Sequence, residues 1–235
     1  MIVELDLNCD LGEGCANDVE LMPLITSANV ACGFHAGGPA EARAALQLAR
    51  RHGTLAGAHP GFADREHFGR RELPCTEEQI FEDCAYQIGA LAGLARAEGV
   101  SLSHVMPHGA MYNMAMRDDG IARPLVAAAK LFDLPLMGLP GSRLEALAAG
   151  GVPFIPEGFA DRRYRPDGSL VPRSEPDAFV ESPFEAAAQA LRLLHEGRIR
   201  TLCVHGDNPL AVEFLRKLRA ELLAAKVSIR PFAEK

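Results

Sequence analysis

The feature that most constrains the fold is the alternation of short apolar segments with longer helical patterns along the chain. The apolar segments are nearly continuous, as is typical of strands covered on both faces. Seven such segments separated by helical patterns predict parallel βα units and an α/β fold. The candidate strands are Ile2–Leu7, Ile25–Ala31, Thr54–Ala58, Leu102–Pro107, Leu134–Leu139, Val152–Ile155 and Thr201–His205.

Two helical patterns carry their own start signals. Proline at the first helical position is favourable because its missing N–H would have no partner there, so Pro39 predicts a helix that ends near His52. Thr76 and Gln79 have the spacing of a capping box, which predicts the start of a second helix. The stretch Phe159–Glu181 is polar and rich in proline and arginine, so we expect an extended loop, and loops of this length are often functional.

The length and composition favour one globular domain. With 235 residues the chain exceeds the average domain, but single α/β barrels reach this size, and no linker divides it, so we expect one domain over residues 1–235. Apolar residues make up 48% and charged residues 23%, which excludes a disordered chain.

Charge and hydropathy also limit the classes of partner that the protein can bind. The 31 acidic and 24 basic side chains give a net charge of −7, which argues against binding to a nucleic-acid backbone. We find no apolar run of about 20 residues that would span a membrane. The amino terminus is acidic where a signal peptide would be basic, and the six cysteines contain no C-x-x-C pair. These features predict a cytoplasmic protein that acts on a small molecule.

Polar residues cluster directly after the predicted strands. In α/β sheets and barrels, ligands bind at the carboxyl ends of the strands, so this placement predicts an enzyme site. The residues are Asn8, Asp10 and Glu13 after the first strand, His35 after the second, His59 after the third, His108, Tyr112 and Asn113 after the fourth, Glu157 and Asp161 after the sixth, and His205 and Asp207 after the seventh.

Four of these residues are histidines beside glycine or proline, namely His35, His59, His108 and His205. Histidine in such a position can act as a base, an acid or a metal ligand. Nearby carboxylates could orient the imidazoles or move protons. Asp10, His35 and His59 together could also bind a divalent metal, but their spacing is no signature, so a bound metal remains an open alternative.

Signals for phosphate binding are mixed. The chain has neither a P-loop nor a dinucleotide-binding glycine motif. Gly141 and Ser142 join a predicted strand to a helix, where backbone N–H groups can face an anion. Arg70 and Arg162 could supply positive charge to a phosphate or a carboxylate. A simple connecting turn and solvated arginines are the alternative interpretation.

Several of these segments, taken together, resemble the LamB/YcsF family. They occur in the family's order and span nearly the whole chain. The segments are Asp6–Gly14, Ser27–Gly37, Gly57–Phe62, Phe68–Arg71, Tyr86–Leu91, Pro107–Ala110, Glu157–Arg162 and Val204–Pro209.

The resemblance implies a distorted seven-stranded (βα) barrel of the glycoside hydrolase/deacetylase type. It also implies the activity of the A component of an ATP-dependent 5-oxoprolinase, which cleaves 5-oxo-L-proline to L-glutamate with partner subunits B and C and with ATP and Mg²⁺. A lactam is a poor electrophile, so its cleavage calls for a base, an oxyanion site and cations that face phosphate.

Site roles are assigned on this resemblance. His59, His108 and His205 are the acid/base candidates, and Asp10, Glu157 and Asp207 would orient them or hold Mg²⁺ with ATP. The binding candidates, for substrate or phosphate, are Asn8, His35, Arg70, Asn113, Gly141, Ser142, Asp161 and Arg162.

The chain departs from the family pattern at Met106, where the family has lysine before Pro-His-Gly. A thioether cannot replace a buried charge. Another lactam or cyclic amide is therefore an alternative substrate. Two further alternatives are a metal-dependent deacetylase or amidohydrolase that needs no ATP, and a non-catalytic subunit that binds a metabolite.

Overall fold

Seven parallel strands close into a barrel in the computed structural model, which describes residues 3–208 and 210–233. The strands follow the order β2-β3-β4-β5-β6-β7-β1, and β1 also pairs with β2, which closes the ring. A short eighth strand extends the sheet beside β1. The strands are Val3–Leu11 (β1), Ser27–Ala31 (β2), Leu55–His59 (β3), Leu102–Val105 (β4), Leu136–Gly138 (β5), Phe154–Phe159 (β6), Thr201–Val204 (β7) and Val227–Ile229 (β8).

Helices follow most of the strands, as the βα pattern predicts. They are Asp18–Leu21 (α1), Pro39–His52 (α2), Glu77–Ala97 (α3), Gly109–Ala115 (α4), Asp119–Leu131 (α5), Arg143–Ala148 (α6), Pro183–His195 (α7) and Ala211–Ala224 (α8). Single 3-10 turns span Met22–Leu24 and Arg65–His67. In residues 3–208 and 210–233, no helix is both long and apolar enough to cross a membrane.

Both predicted helix starts are confirmed. Helix α2 runs from Pro39 to His52, as expected. At the start of α3, the Thr76 hydroxyl accepts a hydrogen bond from the Gln79 backbone N–H, and the Gln79 side chain accepts one from the Thr76 backbone N–H. This reciprocal pair satisfies two N–H groups that a helix otherwise leaves free.

Several predicted strand boundaries are wrong. The first strand begins at Val3 in the described part of the chain, and the predicted Ile2 lies outside that part. It extends to Leu11 rather than ending at Leu7, so Asn8 and Asp10 lie within β1 instead of after it. Glu157 likewise lies within β6. A polar residue is an ordinary signal for the end of a buried strand, but a barrel interior can hold polar side chains when other strands supply their hydrogen bonds.

The two faces of β1 have opposite character. Leu7 and its neighbours at alternate positions join the main apolar core between the barrel and its helices. Asp6 and Asn8 point to the other face, where they hydrogen-bond with residues of neighbouring strands, including Thr201 of β7. The opposite side of the interior is apolar, formed by Met106, Tyr112, Met137, Leu139, Ile155, Phe159 and Cys203. The barrel interior therefore holds both a polar network, centred on β1, and a separate apolar cluster.

Candidate active site at the carboxyl end of the barrel

Three histidine rings meet at the carboxyl end of the barrel. His59 ends β3, and His108 immediately precedes α4. The His59 Nε2 and His108 Nδ1 atoms are 2.9 Å apart. The ring of His35 stacks on that of His108, with centroids 3.8 Å apart and planes within 3°. All three histidines are buried, so the structure brings together three residues that the sequence placed after different strands.

Glu13 completes this cluster. Its Oε1 atom lies 3.2 Å from His35 Nε2, 3.4 Å from His108 Nδ1 and 3.9 Å from His59 Nε2. Glu13 follows β1, and it is buried rather than solvated. We call Glu13, His35, His59 and His108 the histidine–glutamate cluster. These residues could hold a metal ion, because their ligand atoms all lie within 4.8 Å of one another.

Close packing of glycines on the imidazoles makes the cluster possible. A Cβ atom at Gly61 would lie 2.7 Å from His35 Nδ1, and one at Gly69 would lie 2.7 Å from the His35 Cβ. Any larger residue would therefore push on His35. Gly69 also has a φ of 64°, a conformation that glycine adopts readily.

Backbone carbonyls fix the orientation of two rings. His59 Nδ1 lies 2.6 Å from the Met106 carbonyl oxygen, and His108 Nε2 lies 2.8 Å from that of Phe68. A ring nitrogen that faces a carbonyl must carry the proton and donate it. The other nitrogen of each ring is thereby directed into the cluster.

Asp10 and His59 form a buried pair, with Asp10 Oδ1 at 3.5 Å from His59 Nε2. Burial alone would raise the pKa of Asp10, but the positive charge of His59 outweighs it and holds that pKa well below its usual range. Burial would likewise lower the pKa of His59, but the Asp10 charge raises it to about 9. The pair therefore favours a carboxylate beside an imidazolium.

The pKa values of the other three members of the cluster are also shifted. The two histidines shift opposite to His59, and Glu13 shifts opposite to Asp10. Burial, together with the charge of His59, lowers the pKa values of both His35 and His108. Burial and the nearby Asp10 charge raise the pKa of Glu13. These shifts favour neutral rings at His35 and His108 and retention of a proton by Glu13.

A chain of side-chain hydrogen bonds positions Asp10. The Asn29 amide donates to Asp10 Oδ1 at 2.9 Å and to Asn8 Oδ1 at 2.8 Å. The Asn29 carbonyl oxygen in turn accepts from His104 Nε2 at 2.7 Å. His104 is wholly buried, and burial lowers its pKa to about 3, so it donates as a neutral ring. Unlike the four histidines beside glycine or proline, His104 has a structural role inside the barrel.

Asn8 and Glu157 lie deeper in the barrel than a substrate contact would. Asn8 donates to Glu157 Oε1 at 2.9 Å and to the Thr201 hydroxyl at 2.7 Å. Both residues are fully buried. Burial raises the pKa of Glu157 to about 8, so this carboxyl holds a proton at neutral pH.

His205 and Asp161 form a second acid/base pair. His205 Nδ1 lies 2.9 Å from Asp161 Oδ2, and the backbone N–H of His205 also donates to this carboxylate. Burial would raise the pKa of Asp161, but the charge and hydrogen bond of His205 lower it overall. The carboxylate fixes the ring so that Nε2, which has no hydrogen-bond partner among the described residues, remains available to accept or donate a proton.

Arg70 and Asp207 are paired at the rim of the site. Arg70 Nη2 lies 2.5 Å from Asp207 Oδ2, and the Arg70 guanidinium lies 4.8 Å from the centre of the Phe68 ring. Arg173, which is not among the residues predicted from the sequence, lies 3.9 Å from the same carboxylate oxygen. Two cations therefore share one anion, which leaves net positive charge toward an incoming anion.

Arg162 has a structural task in the loop after β6. Its Nη2 donates to the Val171 carbonyl at 2.6 Å, and its Nε donates to that of Ala178 at 3.4 Å. The predicted extended loop is confirmed, and isolated bridges such as Arg162 with Phe179 also join its parts. Arg162 is buried, which argues against the alternative of a solvated arginine.

In the predicted anion-binding turn, a backbone donor is already bonded to a side chain of helix α6. The Gly141 N–H donates to Glu145 Oε2, and the Ser142 hydroxyl accepts from the Glu145 N–H. Glu145 therefore occupies the donors that a phosphate would need. Asn113 lies on α4 and reaches the same cavity as Gly141 and Ser142.

These groups surround one large cavity at the carboxyl end of the barrel, with a volume of about 860 Å³. The predicted site residues that line it are Asp10, His59, Arg70, His108, Asn113, Gly141, Ser142, Arg162 and His205. The others lie behind this wall: His35 behind His108, Asp161 behind His205, Asp207 against Arg70, and Asn8 and Glu157 within the barrel.

Three residues of the site were not singled out from the sequence, namely Asn29, His104 and Arg173. Glu13 is expected after the first strand either as a site carboxylate or as a solvated loop residue, and the structure shows it buried beside His35. Asn29 and His104 are polar residues inside otherwise apolar strands, and that interruption was the available signal.

Comparison with known proteins agrees with this architecture. The family model described as "LamB/YcsF family" matches residues 5–235. A protein of Symbiobacterium thermophilum, named as the A component of 5-oxoprolinase, is 48% identical over 96% of this chain and 94% of that protein. A crystal structure described as a lactam utilization protein from Thermus thermophilus has a TM-score of 0.90 at 43% identity, covering 97% of this chain and 99% of that one.

A more distant likeness shows the fold alone. A family 4 carbohydrate esterase from Streptomyces lividans has a TM-score of 0.54 at 10% identity, covering 97% of this chain and 91% of that one. The expected barrel of the deacetylase type is thereby confirmed. On the match over residues 5–235 and the identity to full-length relatives, the chain belongs to the LamB/YcsF family.

Proposed function

We propose that this chain is the lactam-cleaving subunit of a cytoplasmic 5-oxoprolinase, which converts 5-oxo-L-proline to L-glutamate at the expense of ATP together with subunits B and C. The observation that carries the proposal is the cavity itself. It joins an oriented acid/base pair, His205 with Asp161, to the buried Asp10–His59 pair in one solvent-reachable site. Relatives of nearly the same length are named as the A component of 5-oxoprolinase.

The charges at the rim suit this substrate. The 5-oxoproline carboxylate would approach Arg70 and Arg173, whose shared partner Asp207 neutralises only one of the two cations. The cavity is several times larger than a five-membered lactam, which leaves room for the phosphates of Mg²⁺-ATP beside it. Arginine suits both groups, since its planar guanidinium matches carboxylate and phosphate.

The proposed reaction divides the work between ATP and the side chains. Transfer of the γ-phosphoryl group to the lactam oxygen activates the ring carbon toward water. His205 accepts a proton from the attacking water, with Asp161 stabilising the resulting imidazolium. The carbon–nitrogen bond then breaks and the ring nitrogen takes up a proton, which leaves an acyl phosphate. A second water hydrolyses this acyl phosphate to the carboxylate of glutamate and inorganic phosphate. The imidazolium of His59, held beside Asp10, offers positive charge to the oxyanion.

The test is glutamate release from 5-oxoproline by the purified chain, with and without subunits B and C, ATP and Mg²⁺. The proposal expects release only when all are present, with one ADP formed per glutamate. Binding of 5-oxoproline without turnover in the full mixture, against an active complex from a relative as control, would instead favour the non-catalytic subunit. No binding and no turnover would point to another cyclic amide, the alternative that the methionine at position 106 raises.

A second candidate function is favoured by the histidine–glutamate cluster. Its donor set would suit a metal-dependent amidohydrolase or deacetylase that needs no ATP. That function predicts hydrolysis of an amide by the isolated chain without nucleotide, and its loss on chelation. Turnover that depends strictly on ATP and on the partner subunits would contradict it.

A further inference from the structure

Part of the lining of the active-site cavity is apolar. Met116 and Leu170 are half-buried and line the cavity, and both pack against the apolar cluster inside the barrel. Leu139 and Phe159 belong to that cluster and also line the cavity, as does the half-buried Pro140. We call Met116, Leu139, Pro140, Phe159 and Leu170 the apolar patch.

The apolar patch adjoins the acid/base pair of His205 and Asp161. The ring of Phe159 stacks on that of His205, with centroids 5.7 Å apart and planes 16° apart. The patch and the proton-transferring group are therefore neighbours in one cavity, and a substrate that reaches His205 also comes close to the patch.

The patch presents carbon atoms rather than hydrogen-bonding groups. The Phe159 backbone N–H donates to the Tyr164 hydroxyl at 2.7 Å, and the Phe159 carbonyl accepts from the Gln189 side chain at 2.8 Å. Pro140 has no backbone N–H. A polar group of a ligand placed here would lose its hydrogen bonds to water without gaining others. The patch therefore suits the hydrocarbon part of a substrate.

The hydrocarbon edge of 5-oxoproline is small compared with the room beside the patch. In a lactam that carries a carboxylate next to its ring nitrogen, the carboxylate and the amide share one edge and the methylenes form the other. When the carboxylate meets Arg70 and Arg173 and the amide faces His205, the methylenes turn away from these groups. The cavity, at about 860 Å³, is several times larger than the five-membered ring. Additional methylenes at this edge would remove more apolar surface from water, which strengthens binding.

We propose that the site also binds and opens lactam carboxylates with a larger hydrocarbon edge than 5-oxoproline, of which 6-oxopiperidine-2-carboxylate is the simplest. The inference rests on the proposed function for the contacts of the carboxylate and the amide, and it adds the apolar patch as the determinant of ring size. The bond between the carbonyl carbon and the ring nitrogen breaks, and the nitrogen takes up a proton. One ATP and two waters are consumed, and the products are 2-aminoadipate, ADP and phosphate.

The test compares the dissociation constants of three cyclic amides. Calorimetry is performed on the complete complex with Mg²⁺ and a non-hydrolysable ATP analogue, so that no ring is opened. The ligands are 5-oxoproline, 6-oxopiperidine-2-carboxylate and dihydroorotate, which has the same ring size and carboxylate as the second ligand but a carbonyl and an N–H in place of two methylenes.

We expect 6-oxopiperidine-2-carboxylate to bind about fourfold more tightly than 5-oxoproline, because one more methylene is buried. Dihydroorotate should bind about tenfold or more weakly than 6-oxopiperidine-2-carboxylate, because its additional polar groups meet the patch without partners. Weaker binding of 6-oxopiperidine-2-carboxylate than of 5-oxoproline, or no binding of it, would overturn the proposal. Equal binding of dihydroorotate and 6-oxopiperidine-2-carboxylate would show that the apolar patch does not select the substrate, and would overturn it as well.

Matched variants test the patch itself. Leu170 lies on the loop after β6, so Leu170→Asn changes the patch without disturbing the barrel strands. This variant should reduce the fourfold preference for the larger ring to less than about twofold, and Met116→Gln should do the same. Leu223→Asn, at an exposed position of α8 outside the cavity, should keep the preference. A preference that persists in both patch variants, each shown to be folded by circular dichroism, would overturn the assignment.

Ring opening is then measured with ATP, as release of 2-aminoadipate or glutamate by the complete complex. Opening of the six-membered ring without that of 5-oxoproline would leave this inference standing and remove 5-oxoproline as the substrate. Opening of 5-oxoproline alone would support the proposed function and overturn the inference.

Discussion

The side-chain amide of Asn8 donates to Glu157 Oε1 across the barrel interior at 2.9 Å, while Glu157 Oε2 is buried with no hydrogen-bond partner among the described residues. One oxygen of this carboxyl is satisfied as an acceptor, and the other is not. A protonated carboxyl tolerates this environment better than a carboxylate does, because a fully buried ion is costly when only a few hydrogen bonds stabilise it. Burial accordingly raises the pKa of Glu157 to about 8.

The first prediction is a pH-dependent difference in stability between the wild type and Glu157→Gln. Between about pH 4.5 and pH 8 the folded protein keeps a proton on Glu157 that the unfolded chain has lost. The stability that this proton provides is complete below that window and is lost as the pH rises through it. Glutamine mimics the protonated form at every pH. The free energy of unfolding of the variant, relative to that of the wild type, should therefore increase as the pH rises.

Urea unfolding of both proteins at about pH 5, 6.5 and 8 measures the difference. Comparing the two proteins cancels the titration of groups that they share. An unfolding free-energy difference that stays constant across this range would show that Glu157 is ionised in the fold.

The second prediction concerns the pair of His205 and Asp161. Asp161→Asn should lower kcat of the reconstituted complex by about 10²- to 10⁴-fold, because the amide no longer fixes and stabilises the imidazolium of His205. Asp167→Asn is the matched control. Asp167 is a carboxylate of the same cavity, but it accepts only from Ser169 and should have little effect. Glutamate release by Asp161→Asn at the rate of this control would remove the pair from the mechanism.

Local patterns in the sequence predicted much of the fold. Apolar runs and caps are short-range signals, so they locate the seven barrel strands and the starts of α2 and α3 without any knowledge of the tertiary structure. Strand β8 was missed, because Ser228 interrupts it and charged residues flank it, so the sequence has no apolar run there.

The candidate site was predicted less completely, for a reason that lies in the closure of the barrel. Four histidines after strand ends indicated the correct end of the barrel. The roles of Asn29 and His104 could not be read in the same way, because each depends on a partner far along the chain, Asp10 for Asn29 and Asn29 for His104. Only pairing of β1 with β2 brings the side chains of Asp10 and Asn29 within hydrogen-bond distance.

The third prediction addresses Met106, where the family pattern has lysine. The Met106 side chain is buried in the apolar cluster inside the barrel, and the contribution of this residue to the site is its backbone carbonyl, which accepts from His59. Met106→Leu keeps both features, so it should change the unfolding free energy by less than about 1.5 kcal/mol and leave kcat nearly unchanged. A loss of kcat beyond about tenfold, with the fold intact, would mean that the thioether itself takes part in the reaction.

The fourth prediction separates a structural role of Arg162 from the phosphate contact expected on sequence. Arg162→Met removes the donors to the carbonyls of Val171 and Ala178, and each buried acceptor left without a partner costs about 1–3 kcal/mol. Because this cost falls on the loop and not on the barrel, local opening should increase while the global unfolding midpoint changes little. Chymotrypsin should therefore cut the loop about tenfold faster or more in the variant. Arg165→Met, which removes an exposed pair with Glu175 in the same loop, should be cut at nearly the wild-type rate. An unchanged rate in Arg162→Met, together with a raised KM for ATP, would favour the phosphate contact over the structural role.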